Sequence, residues 1–138
     1  MTQSDRHSVP HNGYTILIVD DNAIQTAVRQ AILKRAGYFV VAALNPVRAL
    51  EMFHDSGFPA QINAVITDHL MPGMCGSDFV RELRKTRPHL PVFVVSGLEE
   101  AEQEYAGLNV QFLLKPIQPD QLLANLRDQL EPQKQGAA

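Results

Sequence analysis

Five side chains in this 138-residue sequence are of a type and placement that could do chemistry: Asp20, Asp21, Asp68, Ser96 and Lys115. The adjacent aspartates and each of the other three directly follow an apolar run. If the fold gathers them, three carboxylates share a site with one hydroxyl and one ammonium. Three such carboxylates cannot all ionise comfortably without a counter-charge. A hard divalent cation with oxygen ligands, Mg²⁺ above all or Mn²⁺, supplies it. With that cation and Lys115 in place, the site becomes a receptor for a further anion, and a phosphoryl group is the obvious candidate. One carboxylate can then attack phosphorus to form an acyl phosphate. The metal, the lysine and the hydroxyl offset charge on the equatorial oxygens.

The elements that must position these residues are legible as five β-branched-rich apolar runs: Thr15–Val19, Tyr38–Ala43, Ala64–Thr67, Pro91–Val95 and Val110–Leu114. Most are continuously apolar, the mark of strands covered on both faces in a parallel sheet. Helical patterns lie between them. Ile24, Ala27, Val28, Ala31 and Ile32 form an apolar stripe ahead of a capping Gly37. Asn45 and Pro46 open a second helix carrying Val47, Leu50, Met52 and Phe53. A third starts near Gly76–Ser77, carries Phe79, Val80 and Leu83, and stops before Pro88. A fourth, roughly Leu98–Ala106, is the weak one: it is rich in glutamate, only Leu98, Ala101 and Tyr105 could dock, and it is expected to be the most mobile. The last begins around Pro119 and aligns Leu122, Leu123, Leu126 and Leu130.

Five strand–helix alternations give a doubly wound α/β fold, a (βα)₅ chain with helices on both faces of a five-stranded parallel sheet. The natural order at this length is the flavodoxin-like 2-1-3-4-5. Sites in such sheets form at the carboxyl ends of the strands near the point where the order reverses. Four of the five strands end in one of the side chains above, while the second ends in Asn45. The expected organisation is a loose tail over 1–13, one domain over 14–131 and a second tail over 132–138.

Composition narrows the class. Apolar residues are 45% and charged residues 20% of the chain, as in an ordinary soluble globular domain. The longest apolar stretch, Ala36–Leu44, is far short of the ~20 residues that cross a bilayer, so no membrane association is expected. Met1–Gly13 is polar and does not read as a signal peptide. The single Cys75 cannot form an internal disulfide and fits a reducing compartment, so cytoplasm is the expected location. A net charge of −3 is a poor footprint for nucleic acid. The basic cluster Arg81, Arg84, Lys85 and Arg87 reads as a solvated helix face, with a partner contact as the other reading.

Together, Asp20–Asp21 after an apolar strand, the run Asp68-His69-Leu70-Met71-Pro72 with Gly76 eight residues past the aspartate, Ser96-Gly97, and Lys115-Pro116 resemble the response-regulator receiver family of two-component signalling. The resemblance spans about Thr15 to Leu130. It implies that Asp68 is the phosphoacceptor and that Asp21 and Asp68 hold Mg²⁺ directly with the Leu70 backbone carbonyl, Asp20 acting mainly through water. It implies that Ser96 and Lys115 contact phosphoryl oxygens and that the Lys115–Pro116 peptide is cis. Phe112, three residues before the lysine, occupies the family's aromatic switch position, although core packing is an equally good reading of it. Partners would be a histidine kinase or histidine phosphotransfer protein upstream and an unidentified protein target downstream, with no direct nucleic-acid contact. The chain could be a monomer or a homodimer, and a stand-alone receiver or a piece of a longer protein. The switching face would combine the fourth helix, fifth strand and fifth helix.

Each motif has a plainer reading taken singly. Asp20 or Asp21 could cap the first helix, Asp68 could serve the Met71-Pro72-Gly73 turn, Ser96 could cap the fourth helix, and Lys115 could be solvated. His69 reads as lining the site rim, His54 and His89 as exposed, and Cys75 as a thiol in the loop after the acceptor. The sequence departs from the family's common pattern at Gly97, where alanine is usual, and at Leu70 and Leu98, where relatives often carry polar side chains that orient the hydrolytic water. Two leucines there imply a long-lived phosphoryl group. The rival functions are a phosphatase of the haloacid-dehalogenase type, an FMN-binding flavodoxin and a phosphorylation-independent scaffold. The first wants Asp-x-Asp after the first strand, the second a hydroxyl- and glycine-rich loop there, and an intact acceptor set argues against the third.

Overall fold

The computed structural model describes residues 12–54 and 61–131. The tails expected over 1–13 and 132–138 lie outside the described residues, save Asn12 and Gly13. Asn12 is already tied down, its N–H donating to the Gly37 carbonyl at 3.0 Å. Five parallel strands run β1 Thr15–Val19, β2 Phe39–Ala43, β3 Ala64–Asp68, β4 Val92–Ser96 and β5 Gln111–Leu114. Their order in the sheet is 2-1-3-4-5. Among the described residues the helices are α1 Ala23–Arg35, α2 Pro46–His54, α3 Gly76–Thr86 and α4 Pro119–Leu130, with a 3-10 segment, η1, over Glu99–Tyr105.

Burial follows the order. The central strands β1, β3 and β4 are buried at every position, whereas the edge strands β2 and β5 are partly exposed. Alternate residues then serve the two faces. Leu17, Val19, Val65, Val92 and Val94 pack with Ala49, Phe79, Val80, Leu83 and Tyr105, so α2, α3 and η1 cover one face. Ile16, Ile18, Ile66, Phe93 and Val95 pack with Leu33, Leu122 and Leu126, so α1 and α4 cover the other. Full burial of each large apolar side chain stabilises by roughly 1.5–3 kcal/mol, and the two faces share that contribution.

Two expectations about helices need correction. The apolar stripe that marks α1 in the sequence would serve as its buried side, yet it faces outward: Ile24 is 77% and Val28 54% exposed, while Thr26 and Leu33 are the buried positions. On the inward side Leu33 is buried in the core, and Thr26 and Arg29 bond the turn before the helix. The fourth helix is 3-10 rather than α. Seven residues are too few to offset helix nucleation, Glu100 and Glu104 would repel at i,i+4, and only Ala101 and Tyr105 are buried to hold it.

Candidate functional site

The turn after β1 shows why two acids stand there. Asn22, and neither aspartate, caps α1: its backbone is extended (φ −90°, ψ 109°) and its Oδ1 accepts the Gln25 N–H at 2.9 Å. Asp20 and Asp21 are thereby released from capping. Asp20 is fully buried, its Oδ1 accepting the Asn22 N–H at 2.9 Å and its Oδ2 paired with the Arg29 guanidinium at 3.0 Å. Burial pushes its carboxyl pKa up, and the nearby Asp68 charge pushes the same way. The Asn22 N–H, Arg29 and Lys115 pull it back in part. Asp21 is exposed.

Asp68 closes β3 beside β1, with its side chain only 12% exposed, and Lys115 Nζ lies 2.9 Å from its Oδ1. Lys115 is carried there by β5, its own N–H bonded to the Ser96 carbonyl at 2.8 Å, and its peptide to Pro116 is cis as expected. One carboxylate oxygen from each of Asp20, Asp21 and Asp68 lies within 4.8 Å of the others. Ser96 is buried at the end of β4, one residue past the strand partner of Asp68. Its Oγ accepts the Leu98 N–H at 3.0 Å, which leaves the hydroxyl hydrogen to be donated. The capping role weighed for Ser96 is not the one it plays: Leu98 is the N-cap of η1, no side chain caps it, and the Ser96 bond closes a turn just ahead of the segment. After Asp68 the chain turns with Gly73 at φ +83°, and the Gly76 N–H returns to the His69 carbonyl at 2.7 Å. Leu70 and Leu98 stand at the edge, 62% and 40% exposed.

Several neighbours were not legible in the sequence. His69 is buried rather than at the rim: its Nδ1 lies 2.6 Å from the Tyr105 hydroxyl and its Nε2 3.6 Å from Glu104. Burial raises the Tyr105 pKa, keeping its hydroxyl a donor. Tyr105 also meets the Phe112 ring at 5.9 Å between centroids, so Phe112 both packs into the core and adjoins η1. Arg84 is neither a solvated cation nor free for a partner. Its guanidinium bonds the Leu108, Arg87, Leu90 and Asn109 carbonyls at 2.7–2.9 Å, clamping α3 to the loop before β5. Arg81 and Lys85 pair locally with Asp78 and Glu82, and His54 and His89 are exposed as expected.

Chemically, three carboxylates face two resident cations, Lys115 and Arg29. Two of the carboxylates are buried and one is open to water, a donor set that fits a hard, partly hydrated divalent cation such as Mg²⁺. Among the described residues no buried side-chain polar atom lacks a hydrogen-bond partner, and no helix is long and apolar enough to cross a membrane.

Comparison with known proteins gives one family. The model of the response regulator receiver domain matches residues 16–127. The chain is 31% identical over 124 residues to the hydrogenase transcriptional regulatory protein HoxA of Cupriavidus necator, covering 86% of this chain and 24% of HoxA. It is 35% identical over 121 residues to the sensor kinase CckA of Brucella abortus, covering 86% of this chain and 12% of CckA. It therefore spans a minor part of the length of either. A CheY-like receiver domain protein from Methanospirillum hungatei superposes with a TM-score of 0.79 at 25% identity, covering 89% of this chain and 98% of that one. The chemotaxis response regulator CheY4 of Vibrio cholerae superposes at 0.75 with 28% identity, covering 85% and 98%.

Proposed function

The chain belongs to the response regulator receiver domain family, and on that premise we propose that Asp68 accepts a phosphoryl group from the phosphohistidine of a histidine kinase or phosphotransfer protein. The observation that carries this reading is the pairing of Asp68 with Lys115 at 2.9 Å, next to two further carboxylates at the switch point of the sheet. Asp21 and Asp68 would hold Mg²⁺, with Asp20 behind them and the Leu70 carbonyl beside them. The ion supplies charge neutralisation for the incoming phosphoryl oxygens. The chain's own groups do the rest. Asp68 Oδ is the nucleophile, the Lys115 ammonium follows the charge from carboxylate to phosphoryl oxygen, and Ser96 donates its hydroxyl hydrogen.

The response would run through Ser96. Drawing its Oγ toward a phosphoryl oxygen removes the acceptor of the Leu98 N–H and so loosens the start of η1. Tyr105 is the last residue of that segment and Phe112 meets its ring, which supports a switching face made of η1, β5 and α4. An apolar groove of about 580 Å³ between α1 and the Lys115–Pro119 turn borders Lys115 itself. It supports approach of the phosphodonor protein from that side. On this reading the domain acts as a phosphoacceptor rather than as an enzyme on other substrates.

The test is intact mass after incubation with Mg²⁺ and phosphoramidate, beside Asp68→Asn. The wild type is expected to gain one phosphoryl group and the variant none. No gain by the wild type would overturn the reading in favour of a phosphorylation-independent scaffold.

A further inference from the structure

The Asp20–Arg29 pair is not explained by the acceptor set. Asp20 is fully buried and the Arg29 side chain is only 12% exposed, so this is a fixed charge and not a surface contact. Arg29 lies one helical turn past Gln25, and residues at i and i+4 share a face. That face of α1 overlies the acid site: the Gln25 Oε1 is 3.5 Å from Lys115 Nζ, while Arg29 reaches Asp20. Thr26, between them, bonds the carbonyls of Asp20 and Asn22 at 3.4 and 2.9 Å, fixing the helix against the turn.

We propose that Arg29 is a resident counter-charge of the acid site, one that weakens divalent-cation binding before phosphorylation and balances the charge of the site after it. The inference rests on the reading that the aspartates bind such a cation. Three carboxylates set against Lys115 and Arg29 leave one net negative charge. A divalent cation turns that into one net positive charge, so the metal enters against Arg29 as well as toward the acids. Converting the Asp68 carboxylate to a dianionic acyl phosphate adds one negative charge, and the loaded site is then neutral. Without Arg29 the empty site would carry two negative charges and the loaded phosphorylated site one. Arg29 therefore shifts the preference of the site from metal alone toward metal together with phosphoryl group. A unit charge one carboxylate away from a divalent ion in a solvent-screened site alters its affinity by about five- to ten-fold, and added salt shrinks the difference.

The test is calorimetric titration of the full chain with Mg²⁺, with no phosphodonor present, for wild type, Arg29→Gln and Arg29→Lys. Arg29→Gln is expected to bind about five- to ten-fold more tightly, and Arg29→Lys like the wild type. Because Arg29→Gln strips a buried carboxylate of its partner, Asp20→Asn is compared with Asp20→Asn/Arg29→Gln, where no such carboxylate remains. The double variant is expected to bind more tightly than Asp20→Asn by a similar factor. Equal or weaker binding on removal of Arg29 in both backgrounds would overturn the proposal while leaving the metal site standing. Absence of saturable Mg²⁺ binding in every variant would overturn both.

Discussion

Helix α3 and the segment η1 lie on the same face of the sheet and flank the same loop after Asp68, yet they are built to opposite standards. In α3, Phe79, Val80 and Leu83 are buried together at helical spacing, and Arg84 clamps its last turn to four carbonyls. In η1 only Ala101 and Tyr105 are buried, and the backbone takes the tighter 3-10 path along an exposed row of glutamates. Runs of 3-10 helix this long are uncommon and poorly bonded. The firm element holds the loop after Asp68 through the Gly76 N–H, and the loose one begins at the N–H that Ser96 accepts. A receiver needs both: a fixed place for the charge to arrive and a cheaply displaced segment to report it.

The largest expected effect tests the firm side. Phe79→Ala removes a fully buried ring and should cost about 3–5 kcal/mol in a denaturant melt. Leu98→Ala, at the 40% exposed entrance to η1, should cost less than about 1 kcal/mol. Similar losses for the two would erase the contrast. Amide hydrogen exchange gives the same comparison without mutation, with α3 exchanging near the global rate and η1 well before it.

Gly76 is where the two elements touch. A Cβ there would run into the Tyr105 hydroxyl, and would stand 2.8 Å from the Asp68 carbonyl oxygen and 3.0 Å from His69 Cα. Gly76→Ala should therefore destabilise by about 1–3 kcal/mol. Tyr105→Phe alone gives up the bond to His69 and should cost about 1 kcal/mol. Combined, the two should cost less than their sum, because the phenylalanine vacates part of the space the new methyl needs. Strict additivity would mean that the Tyr105 hydroxyl is not what fills the notch.

How much of this was legible beforehand depended on whether a feature was local. Strand order and the gathering of the acids with Lys115 could be read because continuous apolar runs mark covered strands, and each ends at a polar residue that topology alone carries to one edge. Gly76 stood out by its spacing from Asp68, and the approach of the Tyr105 hydroxyl together with the Asp68 and His69 backbone gives the reason. The apolar stripe of α1 marked the helix but not its buried side, because Ile24 and Val28 satisfy the helical period while facing outward. The buried face carries Leu33, with Thr26 and Arg29 bonding the turn. His69 and Tyr105 meet across 36 residues. Arg84 and Arg29 look like surface cations, and no sequence period reports where a long side chain bends. Loop-to-loop polar contacts are set by tertiary packing and leave no pattern along the chain.

The smallest expected effect is also the one that joins both sides of the comparison. Leu70 hangs from the acceptor loop and Leu98 from the entrance to η1, each partly exposed beside Asp68 or Ser96. Neither side chain can hydrogen-bond a water molecule, so on the proposed reading neither would orient water toward an acyl phosphate on Asp68. Leu70→Asn with Leu98→Glu should shorten the life of phospho-Asp68 several-fold, roughly 1 kcal/mol of barrier, as followed by mass after removal of the donor. The single variants sharpen the contrast. Leu70 sits on a loop closed by a 2.7 Å backbone bond, so an asparagine there is held where it acts. A glutamate at position 98 rides on the looser segment and loses orientation with it. Leu70→Asn should therefore carry most of the double variant's effect. If Leu98→Glu carries most of it instead, η1 is fixed in the phosphorylated state and the division of labour drawn above is wrong.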